Sequence, residues 1–140
     1  MLGALIAIGL ILWGAYYLLE SSAMQLDPSS ILSYAQTAGF PGQDAQTAVA
    51  VALAESSGNP YAIGDLTLGV SIGLWQINLK AHPEYLAVNL MDPQTNANAA
   101  YTIYRNAGGS FSPWTTFTSG AYRQYLTTSS AGNSGGGGGY

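Results

Sequence analysis

Ala48-Val49-Ala50-Val51-Ala52-Leu53-Ala54-Glu55-Ser56-Ser57-Gly58-Asn59-Pro60 is an apolar run that ends in a carboxylate and then in a cluster of helix-stopping residues. Val49, Val51, Ala52 and Leu53 cover more than one helical face, so a helix made of this run is buried rather than surface-lying. Glu55 at its carboxyl end meets two influences that disfavour ionisation: loss of water and the negative pole of the helix dipole. A carboxylic acid that keeps its proton near neutral pH is what cleavage of a glycosidic bond requires at the leaving oxygen. The plain alternative is a glutamate at a frayed helix end with its head group in water.

Outward from this run, the pattern is that of a helical globular domain. Asp27-Pro28, a capping residue followed by proline at the first helical position, predicts a helix through about Ala38, ended by Gly39 and the turn Phe40-Pro41-Gly42. Asp44 is the expected cap of the central helix. Residues Tyr61 to Ser71, with Gly64, Asp65 and Gly69, read as a loop or a short irregular hairpin. Asp92-Pro93 repeats the cap-plus-proline signature and starts a helix through about Asn106, stopped by Gly108-Gly109. A last short helix is expected over Gly120 to Leu126.

The two ends differ in composition from this middle. Leu2 to Leu19 is an uncharged apolar run with Trp13, Tyr16 and Tyr17 towards its carboxyl end. As a helix it would span roughly 27 Å, close to the hydrocarbon thickness of a bilayer, with the aromatic residues at the interface. A signal peptide cleaved near Ser21-Ser22-Ala23 is the competing reading; the missing basic n-region and the length of the run favour a retained transmembrane anchor. The run Thr127 to Tyr140, TTSSAGNSGGGGGY, is too poor in apolar surface to order itself and reads as a flexible tail. The expected division is therefore an anchor over 1–20, a folded domain over 21–127 and a tail over 128–140.

Charge narrows the function classes. Only 7% of residues are charged, against roughly 25% in ordinary soluble domains, and Lys80, Arg105 and Arg123 are the only strong bases. No basic stripe exists to neutralise phosphates, so nucleic acid is excluded as an expected partner. The polar positions hold Ser, Thr, Asn, Gln and Tyr, which suit a sugar polymer and suit packing in an assembly equally well. There is no cysteine, and His82 is the single histidine, so neither a metal nor another cofactor is expected.

Three segments in order carry a resemblance. Glu55-Ser56-Ser57-Gly58-Asn59-Pro60 is followed by Ser71-Ile72-Gly73-Leu74-Trp75-Gln76-Ile77-Asn78, and then by Asp92-Pro93-Gln94-Thr95-Asn96 with Ala99-Ala100-Tyr101. Together they resemble the lytic transglycosylase and goose-type lysozyme superfamily. The later run Ser112-Pro113-Trp114-Thr115-Thr116-Phe117 with Gly120-Ala121-Tyr122 is similar to phage-associated and actinobacterial members. The resemblance covers roughly Ile31 to Leu126 and implies a mostly α-helical, lysozyme-like fold with a small irregular hairpin.

It also implies roles. Glu55 would be general acid and then general base, and the substrate would be the glycan strand of peptidoglycan. Ser56, Gln76 and Asn78 match substrate-side positions of the motifs, although Ser56 is equally suited to capping backbone at a helix end. Tyr101 is near the place where relatives put an aromatic residue over the cleft. Trp75 and Trp114 suit either core or sugar platform, with core favoured.

A hydrolase with two carboxylates needs a second acid about 5–9.5 Å from the first. Asp27, Asp44 and Asp92 read as caps, and Glu84 follows a proline in a short helical stretch, which leaves Asp65. Its simpler role is to turn the chain after Gly64. A lone Glu55 fits the lytic transglycosylase route, in which the sugar's own C6 hydroxyl replaces water. The expected setting is a membrane-anchored enzyme of a bacteriophage virion or of the bacterial envelope, in contact with other virion or envelope proteins. The alternatives are a lysozyme-type hydrolase and a non-catalytic, membrane-anchored structural or glycan-binding protein.

Overall fold

The computed structural model describes residues 24–64 and 66–127. Its first helix, α1 (Pro28–Ala38), starts at the cap-plus-proline signature: Asp27 is extended, and its carboxylate accepts the Ser30 backbone N–H at 2.9 Å. The helix stops at Gly39, whose φ of +119° is open to glycine and whose N–H reaches the Ala35 and Gln36 carbonyls. A side chain there would also collide with Tyr101, since a Cβ would stand 2.7 Å from its ring.

The second helix, α2 (Gly42–Ser56), contains the apolar run, and Ala48 through Leu53 are buried on all sides. Asp44 does not cap it, contrary to the sequence expectation. Pro41 occupies the cap position without a side-chain bond, and its carbonyl accepts the N–H groups of Asp44 and Ala45, so the helix begins three residues earlier. The Asp44 carboxylate instead accepts the hydroxyl of Tyr104. Ser57, with φ +54°, turns the chain out of the helix.

Three short antiparallel strands follow: β1 (Ile63–Gly64), β2 (Ser71–Ile72) and β3 (Ile77–Asn78), in the order β1-β2-β3. Ile63 pairs with Ile72, and Ser71 with Asn78. The hairpin matches the irregular region read from the sequence; the third strand was not expected. A 3₁₀ turn over Pro83–Tyr85 leads to α3 (Pro93–Asn106), where the Asp92 carboxylate accepts the Thr95 N–H at 2.9 Å. The expected last helix is a 3₁₀ turn over Ala121–Tyr125, preceded by one unexpected helical turn, α4 (Thr115–Thr118).

α1 packs on both α2 and α3, and the final 3₁₀ turn lies against α2. Between them Phe40 stacks on Phe111 with ring centres 5.7 Å apart and meets Tyr104 at 5.0 Å. Trp75 and Trp114 are both buried in the core, and of the two only Trp114 also borders the cleft described below. The Trp114 indole N–H donates to the Trp75 carbonyl at 2.8 Å, and the Trp75 indole N–H donates to the Ala48 carbonyl at 2.9 Å. These two bonds tie the start of α4 to the sheet region, and the sheet region to α2.

The buried Asn96 joins α3 to the same assembly. Its amide donates to the carbonyls of Ile72 and Leu90, each at 2.9 Å, and its oxygen accepts the Trp75 N–H at 2.9 Å. Gly73, at φ +82°, makes room for it: a Cβ would stand 2.2 Å from the Asn96 amide nitrogen. The expected anchor over 1–20 and the expected tail over 128–140 lie outside the described residues. Among the described residues, no helix is long and apolar enough to cross a membrane.

Candidate active site

Glu55 stands in the last turn of α2, where the helix stops being enclosed and its side chain is half-buried. Its carboxylate Oε1 accepts the hydroxyl of Thr116 at 2.8 Å. Burial pushes the Glu55 carboxyl above the ordinary value, and the Thr116 hydrogen bond pulls in the opposite direction with less effect. The acid-holding environment expected from the sequence is therefore present, with loss of water as its main cause.

Glu55 opens on a cleft of about 420 Å³. Thr115 and Thr116 of α4 stand beside it with Pro113 and Trp114. Ser71, Gln76, Ile77 and Asn78 come from the sheet, and Ala81 and His82 from the turn after it. The lining combines polar with apolar groups, the mixture that suits a saccharide. Among the described lining residues Glu55 is the only carboxylate. No group of three or more potential metal ligands occurs among the described residues.

The other sequence-derived site residues fall into three situations. Gln76 and Asn78 line the cleft, but their amides are spent on the protein. Gln76 Nε2 donates to the carbonyls of Ala62 and Gly73 at 3.0 and 3.1 Å. Its backbone is left-handed, φ +46°, a conformation that costs a non-glycine residue about 1 kcal/mol or more and is held here by those bonds. Asn78 donates to the Gly69 carbonyl and the Ser71 hydroxyl, and its oxygen accepts the N–H groups of Lys80 and Ala81. Both residues shape the cleft wall, and neither has a free amide hydrogen to offer a sugar.

Ser56 and Tyr101 are outside the lining. The Ser56 hydroxyl is buried and turned back onto α2, donating to the Ala52 carbonyl at 3.0 Å. Tyr101 packs edge-on against Phe40 at 5.2 Å with the Arg105 guanidinium 5.8 Å from its ring centre, on the α1–α3 side. Asp65 lies outside the described residues.

Two lining residues had no assigned role in the sequence. Thr116 stood inside a quoted motif, but nothing in a linear reading pairs it with a glutamate sixty-one positions away. His82, as the single histidine, offers neither a metal site nor a nucleophile relay in the linear sequence. It lines the cleft, with Nδ1 3.3 Å from Glu84 Oε1.

Comparison with known proteins gives one match. Searches of curated proteins and of solved structures return none. The profile of the lysozyme-like domain matches residues 32–116, which takes in most of α1, then α2, the sheet, α3 and the Thr115–Thr116 wall of the cleft. On that match, with Glu55 and its cleft inside it, the chain belongs to the lysozyme-like domain family, within the lysozyme-like transglycosylase superfamily.

Proposed function

We propose that the chain is a peptidoglycan lytic transglycosylase that cleaves the β-1,4 bond between N-acetylmuramic acid and N-acetylglucosamine. The observation that carries this reading is Glu55: a half-buried carboxyl whose proton affinity is raised by burial, facing a cleft of about 420 Å³ with no second carboxylate among the described lining residues. Family membership supports a glycosidase or transglycosylase acting on peptidoglycan in general; the transglycosylase outcome is our own step beyond it.

In this mechanism the Glu55 carboxyl gives its proton to the bridging oxygen as the C1–O4 bond breaks, the bonding pair leaving with that oxygen. The muramic C6 hydroxyl then bonds to C1, and the Glu55 carboxylate takes the proton released from O6. The acid is regenerated, no water is consumed, and the product carries a 1,6-anhydro ring. One group acts at both stages, which a raised proton affinity and a single carboxylate among the described lining residues permit. Thr116 holds the carboxylate in place between the two transfers.

We further propose an anchor over residues 1–20, a catalytic domain over 21–127 and a flexible tail over 128–140, in a bacteriophage virion or the bacterial envelope. The apolar run Leu2–Leu19 and the glycine-rich end support this arrangement.

The test is mass spectrometry of muropeptides released from purified peptidoglycan by the full chain in detergent. Anhydromuramic ends are expected. Reducing ends would instead indicate a hydrolase. Asp65, the candidate second acid of the sequence, would then be the residue to substitute. Glu55→Gln is expected to lower the rate of release about 10²–10⁴-fold, the usual worth of a general acid. Full activity in that variant would remove Glu55 from the mechanism, and no release by the folded wild-type chain would leave a structural or glycan-binding role.

A further inference from the structure

His82 is the second titratable residue of the described cleft lining, and the mechanism above does not use it. It comes from the turn after β3, where its backbone N–H is fixed on the Asn78 carbonyl at 2.9 Å. Glu84, two residues on and exposed, places Oε1 3.3 Å from Nδ1 of the ring. Tyr85 stands beside it, ring centres 6.4 Å apart. A carboxylate can only accept, so the hydrogen of this pair is on Nδ1. In the neutral imidazole the bare nitrogen is then Nε2, which has no hydrogen-bond partner among the described residues.

The chemistry of the cleft makes that bare nitrogen useful. The side-chain amide hydrogens of Gln76 and Asn78 are committed to the protein, and so is the Asn78 oxygen. A sugar presents several O–H and N–H donors and needs acceptors that are not already saturated. We propose that His82 is a substrate-binding residue whose Nε2 accepts a hydrogen bond from an N-acetylhexosamine in the cleft, with Glu84 as the positioning residue that keeps Nδ1 protonated. This rests on the glycan-binding reading of the cleft and adds a contact to it.

The test separates the two. The full chain carrying Glu55→Gln, so that nothing is cleaved, is titrated with a soluble N-acetylglucosamine tetramer. Adding His82→Ala is expected to weaken binding roughly three- to tenfold, the range of one hydrogen bond. His82→Gln, whose amide oxygen can reach towards the place of Nε2, is expected to recover most of that loss. In ¹⁵N spectra of the imidazole, Nδ1 should carry the proton in the free protein, and the Nε2 signal should move on adding the sugar. Glu84→Ala should mix the two tautomers and weaken binding by a smaller factor. Equal binding with and without His82, or an Nε2 signal indifferent to sugar, would overturn the proposal while leaving the glycan reading in place. No binding by the folded Glu55→Gln chain would overturn both.

Discussion

At Glu55 two opposed influences set the proton affinity, and each can be removed separately. Burial raises the carboxyl and the Thr116 hydroxyl lowers it. Thr116→Val keeps the shape and deletes the hydrogen bond, so the carboxyl should rise further. The basic limb of the pH profile of kcat/KM, where the general acid loses its proton, should move to higher pH, as followed by clearing of peptidoglycan suspensions. A limb that stays in place or moves down would mean that Thr116 does not act on this proton. The same residue links pH to stability. Its folded value lies above the ordinary 4.5, so its favourable contribution is complete below that pH and is lost as pH rises through the folded value. Glu55→Gln should therefore melt higher than wild type near neutral pH, with the gap closing in acid; thermal unfolding at two pH values reads this directly. Glu55 was legible as an acid because its environment is local: an apolar run and a helix end. Thr116 was not, because its relation to Glu55 exists only after the chain has folded back.

Between elements, the controlling residue is Asn96, which holds α3, β2 and the segment before Trp75 through one buried side chain. Asn96→Ala would leave the Trp75 N–H and the Ile72 and Leu90 carbonyls without their partner. With each such loss worth roughly 1–3 kcal/mol and water entry giving some relief, the expected cost is about 3 kcal/mol by urea unfolding. A cost below about 1 kcal/mol would show that Asn96 is not the tie described. α1 and α3 were readable to the residue because Asp-Pro at the start and glycine at the end act through neighbours in sequence. The start of α2 was misread for a related reason. Asp44 had the right chemistry for a cap, yet Pro41 already supplies the turn and Tyr104 claims the carboxylate. Gln76, Asn78 and Ser56 show the limit of motif reading. Gln76 and Asn78 line the cleft and Ser56 does not, and the side-chain hydrogen bonds of all three run to the protein.

For the molecule as a whole, composition had already narrowed the expectation: three strong bases against seven acids point away from nucleic acid as a partner. The family match then covers the segments that build the cleft, and the chain's two chemical walls are unlike each other. Glu55 follows a helical run, Ala48 to Leu53, that is buried on all sides, whereas the facing sheet has strands of two residues each, too short for a ladder to support itself. That sheet is held by side chains, chiefly Gln76 and Asn78. Placed in heavy water, the protein should therefore exchange its amide protons at two rates. The amides of Ala48 to Leu53 should exchange only when the entire fold opens, and those of Ile63 to Ile72 far sooner, through local fraying. Mass spectrometry of the exchanging chain would show it, and a single common rate would contradict it. A polymer threading the cleft would thus meet one wall that is fixed and one that breathes, and could enter sideways across the second without disturbing the placement of the acid.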